Sequence, residues 1–168
     1  MKLRNVWAII PARGGSKGIP RKNVRLLAGH PLIAYTVFMA RQSGVFDHII
    51  VSTEDTEIEA IAREYGAEVP FRRTNELAED NAAVDRVLDY TLEHAITYYG
   101  QAPDAYAALY PTSPFRTPKM IRDTVNLLNF HYWASTAAQV SCCPSSWYVL
   151  EDGYALGISN CRTEIVAL

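Results

Sequence analysis

Residues 5–23 read NVWAIIPARGGSKGIPRKN. The first part, Asn5 to Ile10, is apolar at successive positions, the pattern of a strand buried on both faces in a parallel sheet. The second part is a loop. From Ile9 to Asn23 it carries three glycines, two prolines and four cations, and no acid. The question this stretch poses is what its positive charge meets.

Outward from this strand the chain alternates. Pro31 to Ser43 has helical spacing (Leu32, Tyr35, Phe38, Met39) and stops at Gly44, a natural C-terminal cap. His48 to Ser52 predicts a second strand. Thr56-Glu57-Ile58-Glu59 matches a capping box, and Ile58, Ile61, Ala62 and Tyr65 continue it to Gly66. Ala67 to Val69 predicts a third short strand. A charged loop, Phe71 to Asp80, leads to a long helix over Ala82 to Tyr98. Asp104 to Tyr110 predicts a fourth strand. Thr117 and Pro118 are an N-cap and a first-turn proline, so a helix follows to about Phe130. Ala134 to Val140 predicts a fifth strand. After Pro144 the text is hairpin-like, with Glu151-Asp152-Gly153 as the turn. Strands alternating with helices predict an α/β fold with a mostly parallel, helix-covered sheet. Ligands of such sheets bind outside the carboxyl ends of the strands. The loops 11–23, 70–81 and 111–117 leave those ends and are where chemistry is expected.

Composition narrows the class. The 168 residues suffice for one domain with a real core, and 49% hydrophobic with 20% charged residues is ordinary for a globular protein. No run approaches the roughly 20 apolar residues of a membrane span. The opening residues lack a signal-peptide core, so the cytoplasm is the default location. Cys142, Cys143 and Cys161 form no C-x-x-C spacing, and His30, His48, His94 and His131 are scattered, so no metal cluster is expected from them. The net charge of −2 hides an asymmetry. Residues 1–30 carry seven cations and no acid; the remainder carries nine cations and eighteen acids. A uniformly basic chain would suggest nucleic acid. A basic block at one end of an acidic chain suggests a local anion site instead.

The first loop suits a polyphosphate. Gly14, Gly15 and Gly18 permit positive φ and close approach of backbone to ligand, and exposed N–H groups of such a loop make an anion-binding concavity. Arg13, Lys17, Arg21 and Lys22 add charge, and Ser16 a donor. Two unit charges ~4 Å apart interact by ~4 kcal/mol at an effective dielectric near 20, so four cations over one strand end repel until an anion arrives. The alternative is a solvated basic turn with its side chains splayed. The spacing matches neither the Walker-type G-x-x-x-x-G-K-[ST] nor the dinucleotide G-x-G-x-x-G fingerprint.

IIPARGGSKGIPRKN, together with PLIAYTV, FDHIIVSTED, IAREYGAEVPFRR, ELAED and YPTSPFRTP, resembles the acylneuraminate cytidylyltransferase family, the CMP-sialic acid synthetases and their relatives. The resemblance runs over roughly residues 5–120. It implies a single nucleotidyltransferase domain over 1–168, of the doubly wound nucleotide-diphospho-sugar transferase type, with helices on both faces of the sheet. It implies coupling of CTP to a nine-carbon α-keto acid (nonulosonic) sugar, giving a CMP-sugar and pyrophosphate with Mg²⁺, in a protein that binds neither membrane nor nucleic acid and forms a homodimer. By position, Arg13 matches the family's triphosphate-contacting arginine. Gly14, Gly15, Ser16, Lys17 and Lys22 match the phosphate loop, with Lys22 the expected stabiliser of transition-state charge beside Arg13. Asn23, Asp80 and Asn81 match nucleotide-contacting positions. Arg73 matches the arginine of the family's PFLRP, although a pair with Glu76, Glu79 or Asp80 is the competing reading. Asp80 has a competing reading as the N-cap of the next helix.

Three departures matter. Asn81-Ala82-Ala83 stands where the family usually offers Ser or Thr. Tyr110 stands before Pro111-Thr112-Ser113, where sialic-acid enzymes usually have glutamine, so Tyr110, Thr112 and Ser113 are the candidate sugar contacts and a different nonulosonic acid is the expectation. The sequence holds no D-x-D, so the metal ligands are unidentified, and the family's C-terminal elements are expected to be missing from these residues. Two other readings stand beside the enzyme: a shortened nucleotide-binding relative with little or no activity, and a sugar nucleotidyltransferase using another NTP.

Overall fold

The computed structural model describes residues 3–16, 18–78, 83–128, 133–136, 147–149, 155–157 and 163–167. Its centre is β1 (Val6–Pro11), whose residues alternate between two cores. Val6, Ala8 and Ile10 enter one; Trp7 and Ile9 enter the other. That is the period-two consequence of an apolar strand covered on both faces. Ile9 and Ile10, both fully buried, contribute roughly 1.5–3 kcal/mol each.

β1 lies between β4 (His48–Ser52) and β5 (Ala105–Ala108), parallel to both. The first core is closed by α1 (Leu32–Ser43), α2 (Thr56–Glu64) and α4 (Pro118–Leu127), through Ile33, Val37, Ile58, Ala62, Ile121 and Val125. The second is closed by α3 (Val84–Tyr99), through Leu88 and Ala95. Helices therefore cover both faces, as expected of a doubly wound sheet. The stop of α1 is as the sequence implies: Gly44 caps it in the left-handed region at φ 66, where a Cβ is strained, and Gly100 caps α3 in the same way at φ 69. Thr117 accepts the Met120 N–H at 3.2 Å, with Pro118 in the first turn of α4.

The differences have local causes. α2 is capped by Asp55, not by a Thr56 box: its carboxylate accepts from Glu57 N and Ile58 N at 3.0 and 3.1 Å. Carboxylates and hydroxyls compete for the same orphan N–H groups, and Glu59 turns instead to Arg63 and Arg72. The strand expected at 67–69 is reduced to one parallel bridge, Ile50 to Glu68. A small hairpin that periodicity does not reveal, β2 (Leu26–Leu27) and β3 (His30–Pro31), turns through Ala28 and Gly29, both at positive φ. α3 starts at Val84 with Ala83 at the N-cap position, so that position does not fall to Asp80.

The chain's end adds strands of a different kind. β6 (Trp133–Thr136) occupies the start of the predicted fifth strand, and β7 (Trp147–Val149) pairs antiparallel with β8 (Ala155–Gly157) in the expected hairpin. The hairpin's predicted turn, residues 137–140 and all three cysteines lie outside the described residues. β9 (Thr163–Ala167), unforeseen, runs antiparallel between β5 and β6, giving the order β4-β1-β5-β9-β6.

Candidate active site at the carboxyl edge of the sheet

From β1 the chain moves out to β4 on one side and returns to β5 on the other. The crevice above β1 and β5 is thus the topological switch point, where α/β sheets bind ligands. Three segments meet at this edge: 12–23 after β1, 53–55 after β4, and 109–117 after β5.

The first segment is held by its own polar groups. The β1–β4 pairing continues one step as Ala12 N donates to Ser52 O at 2.9 Å. Gly14 N then donates to the Glu54 carboxylate, at 2.7 Å from Oε1. Asn23 is buried, and its Nδ2 donates to Arg13 O at 2.9 Å, pinning the two ends of the loop together. Asn23 O accepts from Ile33 N at 3.0 Å, which ties the loop to the start of α1. The sequence-stretch glycines are used differently from expectation. None of Gly14, Gly15 and Gly18 has positive φ; the left-handed residue of the loop is Arg21, at φ 56. A Cβ on Gly14 would fall onto the Asp55 carboxylate and 3.1 Å from Arg21 Nη1, so the open space at Gly14 admits an internal ion pair. A Cβ at Gly15 or Gly18 would meet no described residue beyond its chain neighbours within 4 Å.

The loop's charge is partly answered from within. Arg21 bonds Asp55 and Glu57, and the guanidinium holds the Asp55 carboxyl below the usual carboxylate range. The two acids in turn raise the pKa of Arg21 further above its ordinary value. Such pairing offsets the strain of a non-glycine residue at positive φ. Lys22, one residue on, has no acid partner among the described residues. Arg73 is buried and pairs with Glu54, through Nε at 3.1 Å and Nη2 at 2.7 Å, and its backbone N donates to Thr53 O at 3.1 Å. Among the described residues its partner is Glu54 and not Glu76, while Glu79 and Asp80 lie outside them; the β4 end brings beside Arg73 an acid that is distant in sequence. One carboxylate joins Gly14 and Arg73, and so brings two of the expected nucleotide contacts together.

The third segment is a tight turn. Ser113 N donates to Tyr110 O at 3.2 Å, and Arg116 N to Ser113 O at 3.3 Å. Thr112 is exposed and Ser113 half-buried. Tyr110 packs against the core on the α3 side. Arg116, which the sequence reading passed over, is buried and reaches Tyr110 O at 3.4 Å. Ser16 is half-buried in the first loop. Lys17, Asp80 and Asn81 lie outside the described residues. Glu54, Asp55 and Glu57 were also missed as site residues, since their partners are 19 to 40 residues away.

The described acids nearest the loop are already engaged. Glu54 serves Gly14 and Arg73, and Asp55 serves Arg21 and the start of α2. Among the described residues no three His, Cys, Asp or Glu gather to hold an ion. None of the described helices is long and apolar enough to cross a membrane.

Known proteins resemble this chain in sequence and in fold. The sequence model described as cytidylyltransferase matches residues 7–144. The chain is 42% identical over 125 residues to the CMP-N,N'-diacetyllegionaminic acid synthase of Legionella pneumophila, covering 73% of this chain and 52% of the relative. It is 41% identical over 114 residues to the pseudaminic acid cytidylyltransferase of Campylobacter jejuni, covering 68% and 49%. The chain spans about half the length of the curated relatives it matches. Its fold superposes on a CMP:2-keto-3-deoxy-manno-octonic acid synthetase complexed with CTP with a TM-score of 0.64, at 20% identity, over 76% of this chain and 48% of that one.

Proposed function

The chain belongs to the cytidylyltransferase family, and on that premise we propose that its protein transfers a cytidylyl group from CTP to a nonulosonic, sialic-acid-like sugar and releases pyrophosphate. The carrying observation is the loop 12–23 at the switch point: rigidly tied at Ala12, Gly14 and Asn23, yet with the Lys22 ammonium unanswered by any described acid. A polyanion supplies that counter-charge.

The chemistry asks for positioning rather than a protein nucleophile. The anomeric hydroxyl gives up its proton to solvent and forms a new P–O bond at the α-phosphorus, while the bond to the pyrophosphate oxygen breaks and pyrophosphate leaves. Negative charge grows on the bridging and non-bridging oxygens. Fixed donors aimed at that charge lower the barrier, because they need no reorganisation as it develops. Lys22 stabilises the transferring group, Arg13 and the N–H groups of Gly15 and Ser16 hold the triphosphate, and Arg73 completes the cradle. Lys17, Asn23, Asp80 and Asn81 line the nucleotide, and Tyr110, Thr112 and Ser113 face the sugar. The relatives named for legionaminic and pseudaminic acid support a sugar of that class. Mg²⁺ accompanies CTP in this reading; the described acids offer it no site, so no step is routed through it. A cytoplasmic homodimer belongs to the same reading.

Pyrophosphate release tests the proposal. The protein is supplied with CTP, Mg²⁺ and a panel of nonulosonic acids, then with UTP, GTP or ATP in place of CTP. Release with CTP and one or more of these sugars is expected. CTP binding without release on any sugar leaves a nucleotide-binding relative in place of an enzyme, and release with another NTP alone reassigns the donor.

A further inference from the structure

We infer that Glu54 is the positioning residue of the nucleotide site, setting the phosphate loop and Arg73 in register; this rests on the function proposed above. Its two carboxylate oxygens have separate tasks. Oε1 accepts the Gly14 N–H at 2.7 Å. Oε2 accepts both Nε and Nη2 of Arg73, at 3.1 and 2.7 Å. The β1–β4 ladder ends with Ala12 N on Ser52 O, and the Glu54 side chain carries it one residue further where the two chains part.

The placement is over-determined from the other side. Thr53 is fully buried, and its carbonyl accepts the Arg73 N–H at 3.1 Å, so backbone and side chain of Arg73 are both fixed to the segment that carries Glu54. The Arg73 side chain is 3% exposed and that of Glu54 13%. A carboxylate in that setting cannot rotate away without leaving a buried guanidinium unpaired. Glu54 occupies Nε and Nη2, which leaves Nη1 as the fork's remaining nitrogen for a ligand. The loop N–H groups beyond Gly14 gain a fixed starting direction for the same reason.

Glu54 does not touch the reacting atoms, and its negative charge on its own would weaken anion binding. Positioning and electrostatics therefore predict opposite signs, which makes the inference decidable. The probes are CTP and inorganic tripolyphosphate, titrated calorimetrically into the wild type, Glu54→Gln and Glu54→Asp, with circular dichroism and thermal melting of each. Glu54→Gln removes the charge that holds Arg73, and Glu54→Asp keeps the charge but retracts it by one methylene. Glu54→Gln is expected to weaken both probes about tenfold or more, the scale of one lost charge-assisted contact. Glu54→Asp, which stays folded if Glu54→Gln does not, is expected to lie between it and the wild type. Amide exchange at Gly14 is expected to quicken in both variants while exchange in α3 is unchanged. Unchanged or tighter binding by both variants overturns the inference, and so does unchanged exchange at Gly14. Wild-type binding of tripolyphosphate with no preference for CTP sinks the cytidylyl reading but still decides the role of Glu54. Binding of neither probe overturns both.

Discussion

The two edges of the central sheet treat charge in opposite ways. At the amino edge the polar groups close on one another. Trp7 Nε1 donates to Asn5 at 2.7 Å, Asp104 accepts the Arg4 and Asn5 N–H groups, and Asp47 accepts that of Val6 at 2.8 Å. The Tyr99 hydroxyl donates to Glu68 at 2.6 Å, and its ring stacks on His48 at 3.9 Å. At the carboxyl edge the acids Glu54, Asp55 and Glu57 answer Arg73 and Arg21, while Lys22 has no described acid to meet. Both edges belong to the same three parallel strands. What separates them is that one is completed by the fold and the other, in the function proposed above, is completed by a ligand. On that proposal the amino edge serves stability and the carboxyl edge serves binding, and mutations are expected to sort accordingly.

The largest effect is expected at the closed edge. Trp7 is fully buried, and Trp7→Ala should lower the unfolding free energy by about 3–5 kcal/mol in urea. A loss below about 1 kcal/mol would mean that this edge does not hold the fold. At the open edge, Lys22→Ala should leave stability within about 0.5 kcal/mol and reduce turnover by roughly 10²–10³-fold. Equal losses of stability and turnover would make Lys22 structural. Weaker CTP binding at constant turnover would make it a ground-state anchor.

A smaller effect sharpens the closed edge further. Burial, and then the bond to Glu68, push the Tyr99 hydroxyl well above its ordinary pKa. The folded state therefore keeps that proton longer than the unfolded chain. The stability this gives is complete below the unfolded value near about 10 and falls as pH rises past it. Tyr99→Phe should cost about 0.5–1.5 kcal/mol at neutral pH and flatten the alkaline limb of a stability–pH curve, with CTP binding unchanged. An identical alkaline limb in the variant would contradict the assignment. The smallest change is expected for Arg21→Gly. It relieves a positive φ and removes two exposed ion pairs, effects of opposite sign and about 1 kcal/mol in each direction. A melting shift of many degrees would show that one of them dominates.

Local signals were legible in the sequence and distant ones were not. β1, the glycine stop of α1, and the Thr117-Pro118 start of α4 each depend on residues within a turn or a strand of one another. Asp55 displaced the Thr56 capping box because two adjacent residues both offer the oxygen a cap needs. β9 was invisible because five residues carry little period, and its place between β5 and β6 depends on partners more than 25 residues away. At the site, the cations and glycines announced an anion. Their acidic partners did not, because a bond from Arg21 to Asp55 spans 34 residues and leaves no periodic trace. The occupant of the space beside Gly14 was hidden for the same reason: that distant pair lies where a Cβ would stand.

The most direct measurement is a ¹⁵N-labelled titration of the chain with CTP, followed amide by amide. Saturable shifts concentrated at Ala12 to Asn23, Glu54 and Arg73, with Trp7, His48 and Tyr99 unmoved, are the predicted result. No saturable shift, or shifts centred on the amino edge, would contradict the assignment of nucleotide binding to the carboxyl end of β1.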